Sequence, residues 1–204
     1  MHRKVARYAK PSGGSKSIFE SIFEPSSWNP DSSPSSREEM SMIVYVVRHA
    51  WAEKPDSSRW PDDSQRPLTD EGRRRFRRFA RRLIKRGLKI RLIGTSPYLR
   101  CVETAEILMS ATRETVCVEA VPALAPQGNF DELMEWLAKH SSDPGQNIAL
   151  VGHAPDVGEL ISRLVGGGKF DCAKGSVAAI EFKEQPKPGE GHLLFLVTAS
   201  LLKC

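Results

Sequence analysis

Ile43-Val44-Tyr45-Val46-Val47-Arg48-His49-Ala50 is an apolar run that stops at a cation and an imidazole. Its β-branched and aromatic residues read as a strand buried on both faces, the kind that lies inside a parallel sheet. Arg48 and His49 then fall at its carboxyl end, the edge at which open α/β sheets bind their ligands. A lone Arg-His pair after a strand is ordinarily a surface charge beside a satisfied loop imidazole. Its meaning here depends on what the other strand ends carry.

Working outward, Trp51 to Pro67 is a polar loop that leads into Leu68-Thr69-Asp70-Glu71-Gly72. Thr69 is a good helix cap, and two acids in the first turn complement the helix dipole. A helix is therefore expected from Asp70 to Gly87, a glycine stop. Ile90 to Thr95 reads as a strand, and Ser96-Pro97 as the cap and first position of a helix to about Ser110, with Arg100 near its first turn. Thr115 to Val121 is a strand and Asn129 to His140 an amphipathic helix. Asn147 to Val151 is a second buried strand, and it ends at Gly152-His153-Ala154-Pro155, so another imidazole stands at a strand's carboxyl end. A helix over 156–165, a Gly166-Gly167-Gly168 break and strands at 177–182 and 193–197 follow. Strands alternating with helices predict a three-layer α/β/α sandwich, a mostly parallel sheet with helices on both faces. Ser200 to Cys204 carries no pattern that assigns it to an element.

The 204 residues, 40% of them hydrophobic, suffice for one domain, expected over 41–204, preceded by a tail over 1–40. In the tail Pro, Ser and Gly recur around the pairs Ile18-Phe19 and Ile22-Phe23, too little apolar surface to offset ordering entropy, and the segment reads as disordered. Acidic residues such as Glu20, Glu24 and Asp31 argue against an organellar transit peptide. With no long apolar stretch and no secretory signal, a cytoplasmic protein without a membrane is expected. Cys101, Cys117, Cys172 and Cys204 form no Cys-x-x-Cys pair, which speaks against structural zinc and a disulfide framework. The formal charge is +5, with eleven Lys or Arg between Arg73 and Arg91. Such a run can neutralise phosphates, but Phe76, Phe79, Ala80, Leu83 and Ile84 at helical spacing make it the wet face of an amphipathic helix. No aromatic platform accompanies it, so a nucleic-acid partner is not expected.

Three strand ends thus carry Arg48 with His49, Ser96 through Arg100, and His153. Two arginines and two histidines converging on one crevice suit a compact anion, and the planar guanidinium fork matches phosphate oxygens. Together, Arg48-His49-Ala50, Pro67-Leu68-Thr69-Asp70-Glu71-Gly72, Ser96-Pro97-Tyr98-Leu99-Arg100 with Thr104-Ala105, and Val151-Gly152-His153-Ala154-Pro155 resemble the histidine phosphatase (phosphoglycerate-mutase-like) superfamily over about residues 42–197. The short chain is most similar to its SixA-type phosphohistidine phosphatases. Ala50 stands where the family often has glycine.

The resemblance implies that His49 is a nucleophile that becomes phosphorylated, that Arg48 and Arg100 clamp the phosphoryl oxygens, and that His153 is the second pocket histidine. Ser96 is expected to join the substrate-binding set. No metal or other cofactor is expected. Many relatives that cleave esters carry an acid after the third strand, whereas Pro122 to Gly128 holds none. An alkoxide leaves poorly without a proton donor, but an imidazole can leave protonated, so a P–N bond suits this pattern. Glu53 and Asp56, in the loop after His49, are the alternative acids. The absence of long insertions predicts a shallow, open pocket that admits a side chain of a protein. Trp51 and Trp60 are expected to pack the loop rather than wall the site. The expected partner is a phosphorylated protein. The alternatives are a small phosphorylated metabolite and an adaptor that keeps the anion pocket without turnover.

Overall fold

The computed structural model of the chain describes residues 41–112, 114–141 and 146–204. The expected tail over 1–40 lies outside them. Six strands, β1 (Met42–Arg48), β2 (Leu92–Thr95), β3 (Cys117–Ala120), β4 (Ile148–Gly152), β5 (Val177–Phe182) and β6 (His192–Val197), form one sheet in the order β3-β2-β4-β1-β5-β6. The helices are α1 (Asp70–Lys85), α2 (Leu99–Ala111), α3 (Phe130–His140) and α4 (Asp156–Val165). Pairing is parallel from β3 through β2 and β4 to β1, and antiparallel from β1 to β5 and from β5 to β6. The fold is the expected α/β sandwich, with β5 as the one reversed strand.

β1 lies inside the sheet because both its faces are apolar. Val44 and Val46 join Leu150, Ile161, Leu164, Leu133 and Leu137 in a core beneath α3 and α4. Tyr45 and Val47 point the other way, as alternation along a strand requires, toward the face covered by α1 and α2. There α1 buries Gly72, Phe76, Phe79, Ala80 and Leu83. The spacing of those residues is helical, so the arginines between them are left in solvent. Thr69 caps α1 by accepting from the Gly72 amide at 2.9 Å.

Two features position the site. The chain leaves β1 for β2 and β3 on one side of the sheet, and leaves β4 for β5 and β6 on the other. The carboxyl ends of β1 and β4 therefore flank the point where direction reverses, the crevice of open α/β sheets. In addition, α4 and the 168–173 segment meet closely at Gly158, where a Cβ would come within 2.4 Å of the Phe170 carbonyl oxygen. Only glycine fits that contact. α4 ends at Gly166 in the left-handed region, φ 84°, the usual glycine stop.

The helix expected to start at Ser96-Pro97 begins two residues later, at Leu99, and its cap position, Tyr98, makes no side-chain capping bond. The cause is local. The Ser96 hydroxyl is engaged by His153 as well as by the Tyr98 amide. The chain's last residues form a turn in which Leu202 is buried. Arg75 donates to the Cys204 carbonyl at 2.9 Å, and Arg82 to that of Leu202. Part of the basic face thus binds this turn, and such side chain to backbone pairing has no periodic signal in a sequence.

Candidate active site

The parallel register aligns Arg48 with Gly152, and the His49 amide donates to the Gly152 carbonyl at 3.0 Å. His49 and His153 therefore occupy corresponding positions just past two adjacent strands. Their ring centroids are 5.4 Å apart. β2 adds the third strand end, with the Ser96 amide donating to the Val151 carbonyl at 2.9 Å. The structure brings Arg48, His49, Ser96, Arg100 and His153 together, as expected from the sequence.

His49 is 7% exposed, and its Nδ1 lies 2.7 Å from the Ala50 carbonyl oxygen. A carbonyl only accepts, so the neutral ring holds its proton on Nδ1 and keeps a lone pair on Nε2. Burial pulls its pKa down to about 3. The Ala50 bond opposes that shift, while His153, Arg100 and Arg48 reinforce it. His153 is lowered to about 4, again by burial first and then by Arg100. Its Nε2 lies 2.9 Å from Ser96 Oγ and 3.4 Å from Cys101 Sγ. Tyr98 meets the same ring edge-on at 5.1 Å. Both imidazoles are neutral at physiological pH. All four cysteines are free thiols, and burial pushes Cys101 up to about 12.

The two arginines are pinned in similar ways. Arg48 donates from one terminal nitrogen to the Cys172 carbonyl at 2.7 Å. Arg100, 4% exposed, donates to the Asp63 carbonyl at 2.8 Å, meets the Asp63 carboxylate at 3.1 Å and lies over the Tyr98 ring at 4.8 Å. In both, Nε is a buried donor without an acceptor among the described residues. An unpaired buried N–H is costly and rare. Two of them on cationic groups beside an unprotonated imidazole fit a ligand with several anionic oxygens.

The two alternative acids of the loop after His49 are paired elsewhere. Glu53 faces Arg59 at 3.9 Å, and Asp56 is exposed and accepts from Ser58 and Arg59. The Pro122 to Gly128 segment contributes no acid, and Asp156 beside it accepts from the Gln127 amide at 3.1 Å. The carboxylate that reaches the site is Asp63, from the short helical turn Asp63–Gln65, and Arg66 accompanies it, Nε to Asp63 Oδ1 at 2.7 Å. Both lie in a loop without hydrophobic period, where only their i,i+3 spacing hinted at a pair. Trp51 packs with Arg75 over its ring at 4.1 Å, and its carbonyl accepts from the Thr69 amide at 2.9 Å. Arg59 approaches the Trp60 ring at 5.5 Å. Among the described residues no three His, Cys, Asp or Glu side chains gather as a metal ion would need. Among those residues, too, no helix is long and apolar enough to cross a membrane.

A sheet edge that presents an unprotonated imidazole between fixed guanidinium groups is suited to phosphoryl chemistry. The model of the histidine phosphatase superfamily (branch 1) matches residues 44–128. An uncharacterised protein of Picosynechococcus sp. (strain ATCC 27264 / PCC 7002 / PR-6) is 36% identical over 126 residues, 62% of this chain and 74% of that protein. Phosphohistidine phosphatase SixA of Escherichia coli (strain K12) is 29% identical over 126 residues, 62% of this chain and 76% of SixA. The structure of the protein histidine phosphatase SixA complexed with tungstate superposes with a TM-score of 0.70 at 25% identity, covering 79% of this chain and 99% of that one. The chain belongs to the histidine phosphatase superfamily and is a phosphatase.

Proposed function

We propose that the protein hydrolyses phosphohistidine on other proteins, without a metal, through a phosphorylated His49. The observation that carries this reading is the state of His49, neutral, with its Nδ1 proton held by the Ala50 carbonyl and a lone pair on Nε2 between two arginines with unpaired Nε donors.

In the first step the Nε2 lone pair attacks phosphorus. The P–N bond of the substrate breaks, its electron pair stays on the leaving imidazole, and solvent supplies the proton. In the second step water attacks phosphorus, the P–Nε2 bond breaks, and inorganic phosphate leaves. Arg48 and Arg100 neutralise charge on the three equatorial oxygens, where positioning and electrostatics contribute most. His153, neutral and fixed by Ser96, adds a polar contact, so Ser96 acts through His153.

Three observations support a phosphohistidine substrate. The carboxylate that reaches the site, Asp63, is paired with Arg66 and Arg100 and kept ionised, which leaves ester cleavage without an evident proton donor, and SixA is a phosphohistidine phosphatase by name. Arg48 also walls a groove of about 850 Å³ formed by α4 and the 168–173 segment. That is room for several residues of a protein, far more than one imidazole fills.

The test is turnover of a phosphohistidine-bearing protein domain beside an aryl phosphate, with radiolabel trapped at early times. Wild type is expected to lose phosphohistidine rapidly, to cleave the ester weakly and to carry label on His49. His49→Ala should lower turnover by roughly 10³-fold or more. Efficient ester cleavage with no preference for phosphohistidine would shift the reading to a small phosphorylated metabolite. Phosphate-analogue binding without turnover by wild type would make the protein an adaptor.

A further inference from the structure

We propose that Asp63 is a positioning residue that selects which edge of Arg100 meets the phosphoryl group, an inference that rests on the site reading above. Asp63 engages both terminal nitrogens of Arg100, one by a hydrogen bond to its main-chain carbonyl at 2.8 Å and the other by an ion pair with its carboxylate at 3.1 Å. One residue therefore occupies the end-on fork of the guanidinium. The other fork is the side edge, made of Nε–H and the second proton on the neighbouring nitrogen. Its Nε is buried and has no acceptor among the described residues. That edge is the fork left open to phosphoryl oxygens.

Asp63 is itself held on its opposite side. Its second carboxylate oxygen accepts from Arg66 Nε at 2.7 Å, and Arg66 donates onward to the Glu53 carbonyl at 2.8 Å. The turn that carries Asp63 is capped by Asp62, which accepts from the Ser64 amide at 2.9 Å. One carboxylate oxygen thus serves Arg66 alone, while the other faces Arg100 and also accepts from Arg66 at 3.4 Å. Asp63 ties the loop after β1 to the first turn of α2 and offsets one of the positive charges near His49 and His153. The Arg66 hydrogen bond, with Arg100 behind it, holds the carboxyl below its ordinary range. Asp63 is therefore ionised at neutral pH and organises Arg100 without supplying a proton.

The full chain with Asp63→Asn and Asp63→Ala separates these roles. On the phosphohistidine domain and on aryl phosphates of graded leaving-group acidity, kcat is expected to fall about 10- to 100-fold, the cost of a misplaced clamp. The factor should be the same for every leaving group, with KM changed less and Asp63→Asn the milder variant. Asp56→Asn, in the same loop but paired elsewhere, should leave kcat unchanged. A loss that grows with the leaving-group pKa would make Asp63 the proton donor and overturn the proposal. So would unchanged kcat with a lowered melting temperature. Orthovanadate affinity by calorimetry reads the same edge without turnover. Asp63→Asn should weaken it about tenfold, and equal affinity also overturns the proposal. Missing label on wild-type His49 would overturn only the nucleophile.

Discussion

At the scale of single residues, the site is defined by hydrogen bonds that fix proton positions. Because burial carries His49 to about 3 and His153 to about 4, their ring signals in NMR should stay flat between pH 8 and 5, where a solvated histidine titrates near 6.5. Movement of either resonance with a midpoint near 6.5 would contradict the neutral pair. Ser96→Ala removes the 2.9 Å partner of His153 and is expected to lower kcat about tenfold by freeing that ring. Arg48, His49, Arg100 and His153 were legible in the sequence because each follows a strand or opens a helix with a recognisable signature. Asp63 and Arg66 were not. Their role comes from where a polar loop folds back, and neither burial period nor composition records that.

Elements were legible where their periodicity was strong. β1, β4, α1 and α4 lie within a residue or two of expectation because each buries a continuous face or stripe. β3 is shorter than expected, Cys117–Ala120, since as the edge strand it pairs only with β2. The start of α2 departs from the expected one because Ser-Pro normally caps a helix, whereas here the hydroxyl of Ser96 also serves an imidazole across the sheet. The α4 packing yields a prediction at this scale. In Gly158→Ala the new methyl meets the Phe170 carbonyl, so the 168–173 segment must lift. A loss of roughly 1–3 kcal/mol in urea unfolding is expected, together with a raised KM for the phosphohistidine-bearing test domain if that proposed substrate lies in the groove. Unchanged stability would mean that the segment yields freely.

For the whole molecule, two buried neutral imidazoles make stability depend on pH in a defined direction. Both histidines have folded pKa values below the unfolded 6.5, so the unfolded chain binds more protons as pH falls. Stability is full above about pH 7 and declines through the window from 6.5 down toward 4 and 3. Between pH 6.5 and 5 the loss should be roughly 1–2 kcal/mol per histidine. Urea unfolding of His49→Ala should show a shallower decline than wild type, and an identical decline would refute the assignment. The pairing of β1 with β4 carries a different consequence. The two imidazoles are about a hundred residues apart in the chain, yet adjacent across one strand spacing. Neither half of the molecule holds a working site alone, so recovery of turnover after dilution from denaturant is a clock for a long-range pairing in the sheet. Activity should return no earlier than the slowest phase of secondary-structure recovery, because closing a long loop is what delays such pairings.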